Sequence, residues 1–273
     1  MTRKMVFVDT SLCTGCKACS VACKEWNELP AEKTKLITSY QTQKDFTPKT
    51  WTYMTFIEKY ENQKMNFMMR KAQCFHCDDP GCLKACSSKA ISKTDSGFVV
   101  IDHDKCIGCG YCVENCPFGV PKIDQIKKKS YKCSGCIERV ESNLLPACVH
   151  TCQPGALEFG ERVALLAKAK KRLAEVQKTH PKAQIYGEKE MGGTTFVYLL
   201  LDNPEVYGLP VNPAIPLSLT LWKDVIRPVG GIAVGGAAAA VVVGVLANLL
   251  RGNYRSSGDD SANHADSKKG GKR

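Results

Sequence analysis

Sixteen cysteines in four sets of four, with none left over, are the residues of this 273-residue chain whose types and spacing could do chemistry. Cys106, Cys109, Cys112 and Cys116, followed by Pro117, spell C-x2-C-x2-C-x3-C-P. Cys13, Cys16, Cys19 and Cys23 repeat the same gaps, and Cys74, Cys77, Cys82 and Cys86 widen the middle gap to four. The fourth set is Cys133 and Cys136, then eleven residues, then Cys148 and Cys152. The chemistry this spacing suits is thiolate ligation of iron–sulfur clusters. Three thiolates two residues apart can wrap one face of a cubane, while the fourth points away to a neighbouring cluster, so each run requires a partner run. Zinc accounts for the C-x2-C pairs but not for three cysteines at x2 spacing followed by a fourth at x3. A disulfide framework fits poorly, because cysteines two residues apart rarely pair and no secretory signal precedes them.

The neighbours of the cysteines support ligation. Gly108 and Gly110 lack a Cβ and would let the backbone approach inorganic sulfur. Pro117 suits the first position of a helix leaving the loop. Pro80-Gly81 signals a turn inside the widened second motif. His76 and His150 lie between ligands, but four cysteines already fill each site, so both are expected to be ordinary loop histidines rather than Rieske-type ligands. The formal charge of +11 counts every cysteine as neutral. Four oxidised clusters with four thiolates each bring about −8 and leave about +3. The basic excess then compensates buried negative charge, and no aromatic-interleaved basic stripe points to nucleic acid.

The elements that must position these motifs are legible in outline. Residues 5–9 and 98–101 are expected to be short strands leading into the first and third motifs, a repetition that resembles duplicated ferredoxin modules. Residues 49–57 and 64–69 are expected to form an inserted hairpin. Trp26 and the methionines of this insertion are expected to pack, not to ligate. The run Lys127–Lys129 is expected to be a solvated loop. Residues 137–146 suit a helical turn and a loop, and 161–178 an amphipathic helix with Val163, Leu166, Leu173 and Val176 on one face. Residues 194–201 are expected to be an apolar strand that, with this helix, covers the cluster core.

Residues 203–216 hold four prolines and suggest an extended linker. Residues 229–247 carry no charge or strong polar group, enough for a transmembrane helix flanked by Arg227 and Arg251. Gly231, Gly235, Ala240 and Gly244 would let it pack closely against a membrane partner. The tail beyond, with Arg251, Arg255, Lys268, Lys269, Lys272 and Arg273, has the composition of a disordered segment. Its basic bias favours a cytoplasmic C-terminus and a periplasmic cluster domain at the inner membrane. Export would then rely on a partner that carries a signal; protease protection of the tail in inside-out vesicles would contradict this topology.

The chain resembles the iron–sulfur β subunit of membrane-bound formate dehydrogenases, one of the four-cluster subunits that serve molybdenum or tungsten bis-pterin oxidoreductases. The resemblance covers nearly the whole length. It is carried by the four cysteine motifs in this order, residues 23–34, Leu145–Val149, Gly155–Gly160, Tyr207–Pro210 and the Leu221–Lys223 entry to a single C-terminal membrane helix. It implies an α+β fold of duplicated bacterial 2[4Fe-4S] ferredoxin-like modules with inserted strands. Residues 1–202 would be the electron-transfer domain, 203–224 the linker, 225–250 the transmembrane helix and 251–273 the tail. Motif one would pair with motif four, and motif two with motif three. One [4Fe-4S] cluster would then take Cys13, Cys16, Cys19 and Cys152, and a second Cys133, Cys136, Cys148 and Cys23. A third would take Cys74, Cys77, Cys82 and Cys116, and a fourth Cys106, Cys109, Cys112 and Cys86. The implied partners are a catalytic molybdenum or tungsten bis-pterin subunit and a membrane cytochrome b subunit with haem b that reduces quinone. The chain itself would be non-catalytic. Ser87 and Gln153 stand where the family often has proline. No ligand is replaced by tryptophan, unlike nitrate-reductase-type subunits with a three-iron cluster. The subunit of another bis-pterin oxidoreductase or of a membrane hydrogenase is the alternative within this class, and a zinc-binding interaction protein the alternative outside it.

Overall fold

Met5 to Val8 are apolar without a break, and the strand they form is buried on both faces. In this computed structural model, which describes residues 3–33, 35, 40–61, 63–216, 242, 243 and 246, that strand is β1 (Lys4–Asp9). It lies in a four-stranded sheet between β8 (Leu157–Glu161), antiparallel, and β10 (Phe196–Leu200), parallel, with β9 (Gln184–Tyr186) outside β10. Side chains alternate across a strand. Met5, Phe7, Val197 and Leu199 therefore pack with Leu165, Ala169 and Val176 of helix α6 (Arg162–Val176). Val6, Val8, Phe196, Tyr198 and Leu200 face the other way, into the core that carries the cysteines. The sheet is thus a wall between a covering helix and the candidate sites.

The cysteine motifs sit on short helices. The first leads into α1 (Ala18–Trp26), and the second half of the fourth into α5 (Ala147–His150), which packs on α1. The second motif contains α2 (Gly81–Ala85), and the third α3 (Tyr111–Glu114), which packs on α2. Between the inner pair lies the hairpin β4 (Ile91–Lys93) and β5 (Val99–Ile101). The hairpin β6 (Lys122–Asp124) and β7 (Lys129–Tyr131) and the helix α4 (Ile137–Glu141) complete the path to the fourth motif. Motifs two and three therefore form a unit inserted within the unit of motifs one and four. The inserted hairpin exists, longer than expected, as β2 (Tyr53–Glu61) and β3 (Lys64–Ala72).

Three sequence expectations about the fold differ from the structure. Pro117 starts no helix: it lies in a turn closed by the Gly119 N–H donating to the Cys116 carbonyl at 3.0 Å, and the short helix precedes it. Val163 is 83% exposed, because the buried stripe of α6 runs through Leu165, Ala169 and Val176, with Leu166 and Leu173 at its border. Residues 203–216 are not a free connection throughout: Pro204–Tyr207 is a 3-10 turn, and Tyr207 and Leu209 are buried in the central core. Gly108 and Gly110 line the space ringed by Cys86, Cys106, Cys109 and Cys112, and they also serve backbone needs. A Cβ on Gly108 would strike the Lys128 backbone, and Gly110 has φ +86 in open space. The first 216 residues form one compact unit and 217–273 a second. The expected membrane helix lies almost wholly outside the described residues; among those described, no helix is long and apolar enough to cross a membrane.

Because α6 packs on the sheet face remote from the cysteines, damage there should be separable from the sites. Leu165→Ala is expected to cost about 2–4 kcal/mol by removing buried atoms and leaving a cavity. A lower urea midpoint with unchanged iron content would show it; lost iron would contradict the separation.

Candidate metal centres

The fold gathers the sixteen cysteines around four cavities. The first is lined by Cys13, Cys16, Cys19 and Cys152, and the second by Cys23, Cys133, Cys136 and Cys148. The third is lined by Cys74, Cys77, Cys82 and Cys116, and the fourth by Cys86, Cys106, Cys109 and Cys112. Their empty volumes are about 430, 310, 360 and 310 Å³, part of each open to solvent. Each cavity takes three cysteines from one motif and one from its partner. Among the described residues, no three His, Cys, Asp or Glu side chains are placed to hold a single metal ion directly. The thiols ring a space instead of converging on a point, a geometry that fits a polynuclear cluster.

The cavities lie in series. Cys19 of the first and Cys148 of the second share the central apolar core, and Lys71 lines both cavities. Cys133 of the second and Cys74 of the third pack in one cluster with Phe46, Ala72 and Val120. Cys82 of the third and Cys112 of the fourth pack with Ile91 and Val99. Cys16 and Cys109 are the exposed cysteines, and they belong to the first and last cavities. The cysteines of the two inner cavities are buried or half-buried, and only the end cavities hold an exposed one.

The chain supplies donors toward the sulfurs. Gly135 N–H donates to Cys133 Sγ at 3.4 Å, and Ser130 N–H to Cys106 Sγ at 3.4 Å. Ser130 Oγ lies 3.2 Å from Cys112 Sγ, and Asn27 Nδ2 donates to Cys23 Sγ at 3.7 Å. Sequence reasoning missed two further polar residues, Lys71 and Lys132, and took a third, His76, for an ordinary loop residue. Lys71, 2% exposed, has no hydrogen-bond partner for its Nζ. Burial alone would pull its ammonium down, but Cys148, Cys19 and Cys133 outweigh burial and hold its pKa raised. Lys132, 5% exposed, lines the third cavity and donates from Nζ to the Val99 and Cys133 carbonyls. His76 is no ordinary loop residue: it is fully buried beside the third cavity, and its Nδ1 accepts from Val99 N–H at 2.9 Å. Burial, then Lys132 and Lys71, hold its pKa well below the usual range, so it stays neutral. Its Nε2 has no partner. His150 is exposed. The available signal was a lysine close before a motif: Lys132 directly precedes Cys133, and Lys71, in β3, stands three residues before Cys74.

Burial dominates the thiols. It pushes Cys19 and Cys133 up to about 11, and Cys23, Cys82 and Cys136 up to about 12, from an ordinary 9.0. A raised thiol favours the iron-free fold while protonated. That contribution is whole below pH 9 and is lost as the pH climbs through 11–12. The urea midpoint of the iron-free chain is therefore expected to fall on the alkaline side of pH 9, and a flat midpoint there would contradict the burial. Occupying a cavity with metal must expel these protons.

Comparison with known proteins agrees with this geometry. Two families, each described as a 4Fe-4S dicluster domain, match residues 12–90 and 65–162, and the family described as "Formate dehydrogenase N, transmembrane" matches residues 215–244. The formate dehydrogenase iron–sulfur subunit of Haemophilus influenzae is 43% identical over 241 residues, covering 86% of this chain and 77% of the relative. The iron–sulfur subunit of the nitrate-inducible formate dehydrogenase of Escherichia coli is 40% identical over 248 residues, covering 89% and 82%. A subunit of the anaerobic dimethyl sulfoxide reductase of Escherichia coli is 38% identical over 159 residues, covering 58% of this chain and 74% of the relative. With 4Fe-4S dicluster domains over its cysteine motifs and this likeness over most of its length, the chain belongs to the family of formate dehydrogenase iron–sulfur subunits.

Proposed function

We propose that each four-cysteine cavity holds one [4Fe-4S] cluster and that the chain is a non-catalytic electron wire. Each cluster, when bound, takes up and releases one electron at a time. The protein's part is to fix the cluster sites in sequence, exclude water from the inner ones and offset their charge. The thiolates of Cys13, Cys16, Cys19 and Cys152 hold the first, and those of Cys23, Cys133, Cys136 and Cys148 the second. Cys74, Cys77, Cys82 and Cys116 hold the third, and Cys86, Cys106, Cys109 and Cys112 the fourth. The observation that carries this reading is the series of four-thiol cavities whose exposed cysteines, Cys16 and Cys109, lie at its two ends. A wire needs a surface contact at each end of the series.

Membership of the family supports a catalytic and a membrane partner. A molybdenum or tungsten bis-pterin subunit oxidises formate and delivers electrons at the Cys16 end. A membrane cytochrome b subunit receives them at the Cys109 end and passes them through haem b to quinone. This direction is supported by Ile215, near the end of the cluster-bearing unit, whose side chain lies beside Gly81 of the third cavity, in the half of the series away from Cys16. Residues 225–250 cross the inner membrane and 251–273 lie in the cytoplasm, with the cluster domain on the periplasmic side; the apolar run and the family match at 215–244 support the span.

The test uses the purified complex. Cys109→Ser should leave formate-dependent reduction of an artificial dye intact while slowing haem b reduction by formate at least tenfold. Equal loss of both activities, or haem b reduction at the wild-type rate, would contradict the direction and the role of the fourth site.

A further inference from the structure

We propose that Lys71 is a shared potential-setting cation that makes the first and second centres easier to reduce together. The proposal rests on the assignment of clusters to the cavities and goes beyond it. Lys71 lies in β3, in the wall between the two cavities, and lines both. Its side chain is almost wholly buried, and its Nζ has no hydrogen-bond partner among the described residues. None of the carboxylates in the ion pairs of the described residues is paired with it. Its Nζ lies over the Phe196 ring, 5.7 Å from the centroid. A cation taken out of water without a partner is costly. Strands in sheets normally place lysine at the solvent face, yet this one points inward among apolar residues beside eight cysteines.

The arrangement has an electrostatic consequence. Adding an electron to either neighbouring site adds a negative charge in a low-dielectric interior. A fixed positive charge nearby favours the more negative form, as an opposite charge favours the ionised form of an acid. Because Lys71 borders two cavities, it should move two couples in the same direction and keep them close to one another. Lys132 differs: its Nζ is committed to two carbonyls, and it lines only the third cavity. It therefore serves as the comparison.

Lys71→Met, Lys71→Gln and Lys71→Arg would be made in the full chain within its complex, and each would be titrated stepwise with dithionite under EPR, with iron counted in parallel. In the Met and Gln variants, two of the four couples should become harder to reduce by tenfold or more, which is about 59 mV for a one-electron couple. The other two should stay within threefold of wild type, and Lys71→Arg should restore both. Lys132→Met should move a different couple. Failure to find iron in the wild-type protein would remove the cluster assignment itself. With wild-type iron in place, the Lys71 proposal is overturned if the couples do not move, if all four move alike, if Arg behaves as Gln does, or if Met and Gln both lose iron, which marks a structural role.

Discussion

Cys116→Ser is expected to disturb the centre that contains Cys74, Cys77 and Cys82 and to spare the one that contains Cys106, Cys109 and Cys112. Cys116 follows the latter set in the chain, although the spacing of its run already predicts that it points away to a neighbouring cluster. The backbone carries it elsewhere: α3 stops at Glu114, the chain turns, and Cys116 reaches the third cavity beside Cys74. Burial raises its thiol, while the backbone N–H groups of Val120, Phe118 and Gly119 offset part of that cost. Serine offers a poorer ligand to iron, so one EPR couple should vanish or shift and up to about four irons should be lost per chain. Cys86→Ser should do the reverse, disturbing the fourth centre and sparing the third. If Cys116→Ser altered only the signal lost on mutating Cys109, the crossed arrangement of the inner motifs would be wrong.

Gly135→Ala should prevent the second centre from assembling. Gly135 lies between Cys133 and Cys136 with φ +72, a conformation that costs a β-carbon-bearing residue about 1–3 kcal/mol. Its added Cβ would fall within 3.0 Å of the Phe98 ring. Phe98 cannot yield, because it is fully buried, edge-on to His76 with centroids 5.2 Å apart and packed on Phe196. Overpacking of this kind adds about 1–3 kcal/mol. The loop would move instead, taking the Gly135 N–H away from Cys133 Sγ. Iron should fall by about four per chain with a lower melting temperature. Gly155→Ala is the control: Gly155 also has positive φ, but a Cβ there meets nothing within 4 Å, so it should keep its iron. Full iron in Gly135→Ala would contradict the packing described.

Much of this was legible in the sequence because the signals are local. Ligand spacing marks the metal chemistry, and the unbroken apolar runs at Met5–Val8 and Phe196–Leu200 mark strands buried on both sides. What was not legible depends on long-range contact. Nothing near Lys71 in the chain says that two cavities from distant motifs close around it. Gly108 lines the fourth cavity, but nothing local to it says that the Lys128 backbone, at the turn before β7, will lie against it. Val163 fits a helical stripe, but the sheet meets the stripe through Leu165 and Ala169 instead. The prolines of 203–216 suggest an open linker, whereas Tyr207 and Leu209 find a place in the core.

The central claim is that each ring of four cysteines holds an iron–sulfur cluster, and metal analysis joined to EPR of the reduced chain tests it most directly. A brown protein with about sixteen irons per chain and four reducible couples is the predicted result. A colourless protein with about one zinc per four cysteines, and no EPR signal on reduction, would contradict it.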